Sequence, residues 1–279
     1  MMSITETVGE NNVASRFVWA WHDGLVITKR NLLQTTRVPE LLLFSTLQPV
    51  MFVLLFAFVF GSAIPIPGGG SYREFLMAGI FVQTIAFNGA ATAVGVADDM
   101  HKGLIDRFRS LPMARSAVLI GRTIADAARA ILVLAIMSVC GLLVGWSINN
   151  GFVRAVAAYL LILAFGYAMS WVGAWIGLVS PNAEVANTAG FIWLFPLTFL
   201  SNAFVPLQGM PPVLQTIATW NPVSSVVAAA RDLFGNPNPY VGNALPERYP
   251  ILFSVLWIGV ILMIFVPLAV RRYRLATSR

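Results

Sequence analysis

The chain has 279 residues, of which 58% are hydrophobic and 11% charged. That is less than half the charged fraction of a soluble domain, about 25%, and it excludes an ordinary water-soluble globular fold. The net charge of +6 does not require nucleic acid, because Lys and Arg collect on the cytoplasmic side of membrane proteins.

In chain order, the first predicted element is Arg16–Leu32. Val18, Trp21, Leu25, Thr28 and Leu32 recur every three or four positions, with Arg16, Asp23, Lys29 and Arg30 on other faces. This spacing predicts an amphipathic helix lying in the membrane interface, and Trp19 and Trp21 suit the headgroup layer. A cytosolic helix packed on protein would show the same pattern. No apolar stretch closed by a small-residue cleavage site stands in the first forty residues, so no signal peptide is expected. The one cysteine, Cys140, lies in an apolar run and reads as a small packing residue.

Long stretches such as Leu41–Ser71 and Ile131–Phe152 contain no Lys, Arg, Asp or Glu. A spanning helix needs about 20 apolar residues. Six spans are predicted: Leu41–Gly61, Phe75–Ala97, Thr123–Trp146, Ala155–Val179, Thr188–Pro206 and Ile251–Val270. Each must be helical, because lipid offers backbone groups no hydrogen-bond partner. Thirteen basic residues fall in the segments on one side of this arrangement and four on the other, with Arg129 inside the third span. The richer side is cytoplasmic. It holds both termini, so the expected location is the cell membrane. The organisation is a cytoplasmic N-terminus with the interfacial helix over residues 1–40, a six-span domain over 41–270 and a basic tail over 271–279.

Between spans two and three, Met100, Leu104, Phe108 and Leu111 form an apolar stripe opposite Lys102, Asp106 and Arg109, and Pro112 ends the helix. Such a helix lies on the bilayer or docks into the groove of another protein. Asp98 and Asp99 stand at its expected start, where helix capping accounts for them. Between spans five and six, Val213–Trp220 and Val223–Phe234 read as two short helices broken at Asn221-Pro222. They dip back toward the membrane or rest on its outer surface.

Charges inside spans are few. Arg122, Asp126 and Arg129 are spaced i, i+4 and i+7, and they read as a structural ion cluster in which two Arg offset the cost of one buried Asp. Gln48, Gln83, Asn88 and Asn202 are the uncharged polar candidates for a substrate path, and they would equally serve as hydrogen bonds between helices. Pro49 and Pro196 predict kinks in spans one and five. Gly89 with Ala93, and Gly166, Ser170, Gly173 and Gly177, predict close helix contacts.

Chemistry is mostly conspicuous by omission. Neither lysine, Lys29 nor Lys102, stands in a Gly-Lys-Ser/Thr pattern, so this chain has no recognisable ATP site. His22 and His101 are far apart, and HExxH and CxxC are missing, so neither a metal site nor a catalytic residue is predicted.

Four stretches carry a resemblance: Arg30-Asn-Leu-Leu-Gln-Thr-Thr-Arg37-Val-Pro39; Lys102-Gly103-Leu-Ile-Asp-Arg107-Phe-Arg-Ser-Leu111-Pro112; Phe204-Val-Pro206 with Met210-Pro211-Pro212; and Trp220-Asn221-Pro222 through Arg231. In order and spacing they resemble the type-2 permeases of ATP-binding-cassette transporters, especially the daunorubicin/doxorubicin-resistance permease group. The resemblance implies an all-α membrane protein of six transmembrane helices, with an interfacial helix, a cytoplasmic coupling helix and short re-entrant outer helices. It implies a second permease copy, identical or similar, and separate ATPase subunits that hold ATP and Mg. It implies that Met100, Leu104, Arg107, Phe108, Arg109 and Leu111 couple to the ATPase. It also places Phe52 and Phe199 on the path between the two copies, near Pro49 and Pro196. The implied function is export of hydrophobic or amphipathic compounds such as drugs, polyketides or lipids. An intramembrane lipid-modifying enzyme is the alternative, and only Arg122-Asp126-Arg129 approaches the charged cluster it would need.

Overall fold

The computed structural model describes residues 39–61, 63–102, 117–239, 242 and 244–276, with side chains from 47 and 123 onward in the two helices that begin at 39 and 117. The predicted interfacial helix, the basic tail beyond residue 276 and most of the coupling segment lie outside the described residues. Among those described, every regular element is helical.

The helices are α1 (Pro39–Val59), α2 (Tyr72–His101), α3 (Ala117–Val144), α4 (Gly151–Val179), α5 (Ala183–Phe199), α6 (Pro212–Thr219), α7 (Pro222–Phe234), α8 (Leu245–Arg248) and α9 (Pro250–Ala276), with a 3-10 turn at Leu207–Gly209. Four of them, α2, α3, α4 and α9, are long and apolar enough to cross a membrane. With α1 and α5 they occupy the six predicted spans. α5 has 17 residues, about 25 Å at 1.5 Å per residue, which is short of a hydrocarbon core of about 30 Å. The predicted span five ran to Pro206. Helix α5 instead stops at Phe199, and residues 200–206 form a turn around Ser201, whose hydroxyl donates to the Thr198 carbonyl and accepts from Ala203 N. Pro49 and Pro196 both lie inside helices that continue past them.

α2 is the central helix. Its most apolar stretch is 67% buried, against 11% for that of α9 at the periphery. It packs most closely on α4, and the reason is the small residues on both. A Cβ at Gly173 would collide with the carbonyl of Gly89, one at Gly177 with that of Ala93, and one at Gly166 with Ile85. The predicted small-residue contact is therefore the α2–α4 crossing. Large apolar side chains such as Leu143, Phe152 and Met263 face outward at 84%, 82% and 78% exposure, a surface suited to lipid and costly in water.

Helix α2 also corrects one expectation. Asp98 and Asp99 lie in the last turn of a 30-residue helix, not at the start of a new one. Carboxylates there oppose the helix dipole. Lys102, at the C-cap, donates to Asp98 Oδ2 at 2.6 Å and offsets that repulsion. This hydrogen bond and the Asp98 charge hold the exposed Lys102 ammonium above its ordinary pKa.

The far end of α2 is closed by a cap built from α7. Asn221 caps α7 through its side chain, which accepts from Val223 N and donates to the carbonyls of Leu197 and Leu200. Gly235, at φ +76, ends the helix in the left-handed conformation. The α3–α4 turn is tied to this end. Trp146 Nε1 donates to Asn236 Oδ1 at 2.8 Å, and Asn150 Nδ2 donates to the Asp232 carbonyl at 2.7 Å. Helices α6 and α7 match the two predicted short helices. Most of α7 is buried, while α6 leaves Val213, Leu214 and Ile217 exposed.

Candidate functional site

A cavity of about 250 Å³ opens between α1, α2, α3 and α5. Gln48, Pro49 and Phe52 line it from α1, Gln83, Thr84, Phe87 and Asn88 from α2, Arg129 and Val133 from α3, and Asn187, Phe191 and Phe195 from α5. The helical period explains how these residues share it. Gln83 and Phe87, Thr84 and Asn88, Arg129 and Val133, and Asn187, Phe191 and Phe195 are each four apart, so each helix offers one stripe.

The aromatic residues form a connected series. Phe87 meets Phe191 and Phe195 edge-on at 5.6 and 5.5 Å. Phe195 stacks on Phe199 at 5.6 Å, Phe199 on Phe204 at 5.2 Å, and Phe204 on Phe56 of α1 at 4.9 Å. The series runs from the cavity along α5 to the turn that follows it. Separations of this size are favourable for offset and edge-on ring pairs.

One side of the cavity carries charge. Asp126 is buried, accepts from Thr92 Oγ1 at 2.7 Å and pairs with Arg129. The same hydroxyl lies 3.0 Å from the Asn88 carbonyl, so its single proton is shared between the two acceptors, and this links the pair to the cavity wall. Arg129 reaches the cavity and Asp126 does not. A buried carboxylate held by a hydroxyl and a guanidinium is neutral as a unit, which offsets part of the cost of burying its charge.

The sequence-predicted residues are thus divided. Gln48, Phe52, Gln83 and Asn88 come together around the cavity. Phe199 lies one ring beyond it. Asn202 does not line it. The predicted span-five residue sits in the turn after α5, where its N–H donates to Ser224 Oγ and its carbonyl accepts from Arg231. Asp126 and Arg129 pair with each other, while the Arg122 side chain lies outside the described residues. Met100 packs on its own chain, against the cluster of Val96, Trp171 and Tyr273. Leu104, Arg107, Phe108, Arg109 and Leu111 lie outside the described residues. Sequence reading missed Thr92, Phe87, Asn187, Phe191 and Phe195, although the i, i+4 recurrence of Asn187, Phe191, Phe195 and Phe199 was a usable signal.

A second buried charge was also missed. Arg231 of α7 is fully buried. Its Nε donates to the Phe75 carbonyl at 2.8 Å, and Nη2 donates to the carbonyls of Asn202 and Ala203 at 2.9 and 3.2 Å. The guanidinium lies 3.5 Å from the Phe75 ring centroid. Tyr72 Oη donates to the Phe204 carbonyl at 2.9 Å beside it. Together these contacts tie the start of α2, the turn after α5 and α7 into one cap.

An aromatic-walled cavity between apolar helices suits passage of a ligand through a membrane protein, and relatives of this chain agree. It is 32% identical over 246 residues to the "Daunorubicin resistance ABC transporter permease protein DrrB1" of Streptomyces coeruleorubidus, covering 88% of this chain and 83% of that one. It is 23% identical over 276 residues to the "Probable doxorubicin resistance ABC transporter permease protein DrrC" of Mycobacterium tuberculosis, covering 98% and 95%. It is 26% identical over 216 residues to the "Putative transport permease ycf38" of Porphyra purpurea, covering 75% and 73%. The family model described as ABC-2 type transporter, ABC2_membrane, matches residues 23–234, and the chain is a multi-pass membrane permease belonging to that family.

Proposed function

We propose that this permease exports hydrophobic or amphipathic compounds, driven by ATP hydrolysed on a separate subunit. The observation that carries this reading is the cavity, whose apolar aromatic wall and few polar groups suit an amphipathic ligand. The lipid-modifying enzyme has no such support, because the relatives above are named as permeases. ATP and Mg then belong to the ATPase, whose contact is the segment carrying Leu104, Arg107, Phe108, Arg109 and Leu111. Removing an aromatic or Arg anchor from an interface costs about 2 kcal/mol, roughly a thirtyfold loss of affinity. Phe108→Ala and Arg107→Glu are expected to weaken ATPase capture by about that factor and to lower transport, at unchanged membrane abundance. Pull-down and transport assays check this. Undiminished capture and transport in both variants would assign the segment to the lipid surface instead.

The six-span topology, with both termini cytoplasmic and α6 and α7 re-entrant at the outer side, belongs to the same proposal. So does a second copy meeting this one through α1 and α5. The exposed apolar stripes Leu47, Met51, Leu55 and Phe58 on α1 and Ile192, Phe195 and Phe199 on α5 support this. The cavity of one chain, about 250 Å³, is below the range of about 300–1,000 Å³ for drug-sized sites, and a facing copy would enlarge it. In a Cys140→Ala background, cysteine at Gly209 is expected to label from outside and at Ser278 from the cytoplasm. Cysteines at Met51 and Ile192 are expected to crosslink between copies. Labelling of both Gly209 and Ser278 positions from one face, or absence of any α1–α5 crosslink, would overturn the topology or the interface respectively.

A further inference from the structure

We infer that the cavity selects amphiphiles with an anionic head, Arg129 and Asn88 receiving a carboxylate or phosphate group while Phe87, Phe191 and Phe195 hold the apolar body. The inference rests on the reading of the cavity as a substrate site and names the chemistry of what enters it.

Three observations carry it. The first is the asymmetry of the ion pair. Asp126 is 4% exposed and turned onto Thr92, whereas the Arg129 side chain is 31% exposed and lines the cavity. A ligand therefore meets the cation and not the carboxylate. The second is Asn88, whose Nδ2 is buried at the cavity wall and has no hydrogen-bond partner among the described residues. A buried amide donor left without an acceptor is costly, and a ligand oxygen would satisfy it. The third is the company these groups keep. Gln48 and Gln83 add amide donors to the same wall, and among the described residues no Asp or Glu lines it.

The aromatic rings alone would favour a cation. Two facts oppose that here. The rings are engaged with one another, edge-on between Phe87 and its two partners and tilted between Phe191 and Phe195. The Asp126–Arg129 pair, neutral as a whole, also turns its guanidinium donors to the cavity and its carboxylate away, so the cavity meets the positive end of the pair. Asp126 is a positioning residue in this scheme. It holds Arg129 in place, with Thr92 holding Asp126.

An anionic amphiphile has two sources, an acidic membrane lipid or a soluble acidic compound. The test uses the full-length permease in phosphatidylcholine nanodiscs, with dansyl-labelled undecanoate as fluorescent probe and dodecyl phosphate and dodecyltrimethylammonium as competitors. Dodecyl phosphate is expected to displace the probe about tenfold more effectively than the ammonium compound. Arg129→Gln alone would strand Asp126, so the pair Asp126→Asn with Arg129→Gln is used, which keeps a neutral hydrogen-bonded unit beside Thr92. It is expected to weaken undecanoate binding about tenfold and to leave the ammonium compound's binding unchanged or improved. Phe195→Ala is expected to weaken both ligand classes. Loss of undecanoate binding when phosphatidylglycerol replaces part of the phosphatidylcholine would identify the head as a lipid's. Retained binding would identify a soluble acid. Both uphold anionic recognition. Equal affinity for the two competitors, weakened by Phe195→Ala but not by the paired variant, would overturn the charge selection while keeping the cavity as the site. Indifference to Phe195→Ala as well would overturn the cavity itself.

Discussion

Arg231→Ala is expected to remove most folded permease from the membrane. The side chain is fully buried and supplies hydrogen bonds to three carbonyls, those of Phe75, Asn202 and Ala203, which lie up to 156 residues from it in sequence. Alanine leaves these oxygens facing a space that it cannot fill. A buried acceptor deprived of its partner costs about 1–3 kcal/mol, so three together represent about 3 kcal/mol or more. That is a large part of a total stability of about 5–15 kcal/mol. The stacking of the guanidinium on Phe75 is lost as well. Arg231→Lys keeps the charge but not the planar fork, so it is expected to fall between alanine and wild type. Cys140, the only cysteine and partly buried, is a built-in reporter. A thiol-reactive dye that fluoresces on reaching Cys140 follows melting in detergent without further substitution. A wild-type melting curve for Arg231→Ala would mean that the cap holds without this side chain.

The second large effect is expected at the α2–α4 crossing. A Cβ at Gly173 would fall inside the carbonyl of Gly89, and backbone cannot turn aside as a side chain can. The two central helices must separate, and overpacking of this kind costs about 1–3 kcal/mol. Gly173→Ala is therefore expected to lower the melting temperature and Gly173→Leu to prevent accumulation. Gly259 of α9 is the control, because nothing lies within 4 Å of the Cβ it would gain. Alanine there is expected to be neutral or to stabilise by about 0.5–1 kcal/mol through helix propensity. Equal melting of Gly173→Ala and Gly259→Ala would show that the crossing has room to spare.

Polarity inside apolar runs marked part of the cavity and explains where sequence reading stopped. Gln48, Gln83 and Asn88 were visible because a polar group inside an apolar run is conspicuous, while Arg129 was read only as part of an ion cluster. Phe191 and Phe195 were not, because an aromatic residue in a spanning helix is as expected facing lipid as facing a ligand. Asn202 was misplaced because the apolar run Leu194–Val205 continues past the point where α5 ends. Hydropathy registers composition along the chain and not the turn made by Ser201. The α2 terminus was misread for a related reason. Asp98-Asp99 suits a helix start, yet the apolar side chains before it carry the same helix onward to His101.

The sequence by itself determined that this chain is helical and lives in a membrane, and it located the four stretches long and apolar enough to span. Those properties follow from the transfer cost of backbone and side chains into lipid, which is summed locally over about 20 residues. It also marked Gly89, Gly166, Gly173 and Gly177 as contact residues, since only small side chains let helices approach so closely. Only the tertiary structure decided which helices those glycines join. It alone placed Thr92 on Asp126, 34 residues away, and turned Arg129 rather than Asp126 toward the cavity. It alone buried Arg231 under three distant carbonyls. Lipid is as apolar as the side chains it surrounds, so hydrophobicity cannot choose one helix neighbour over another. That choice rests on shape and on hydrogen bonds between residues far apart in the chain.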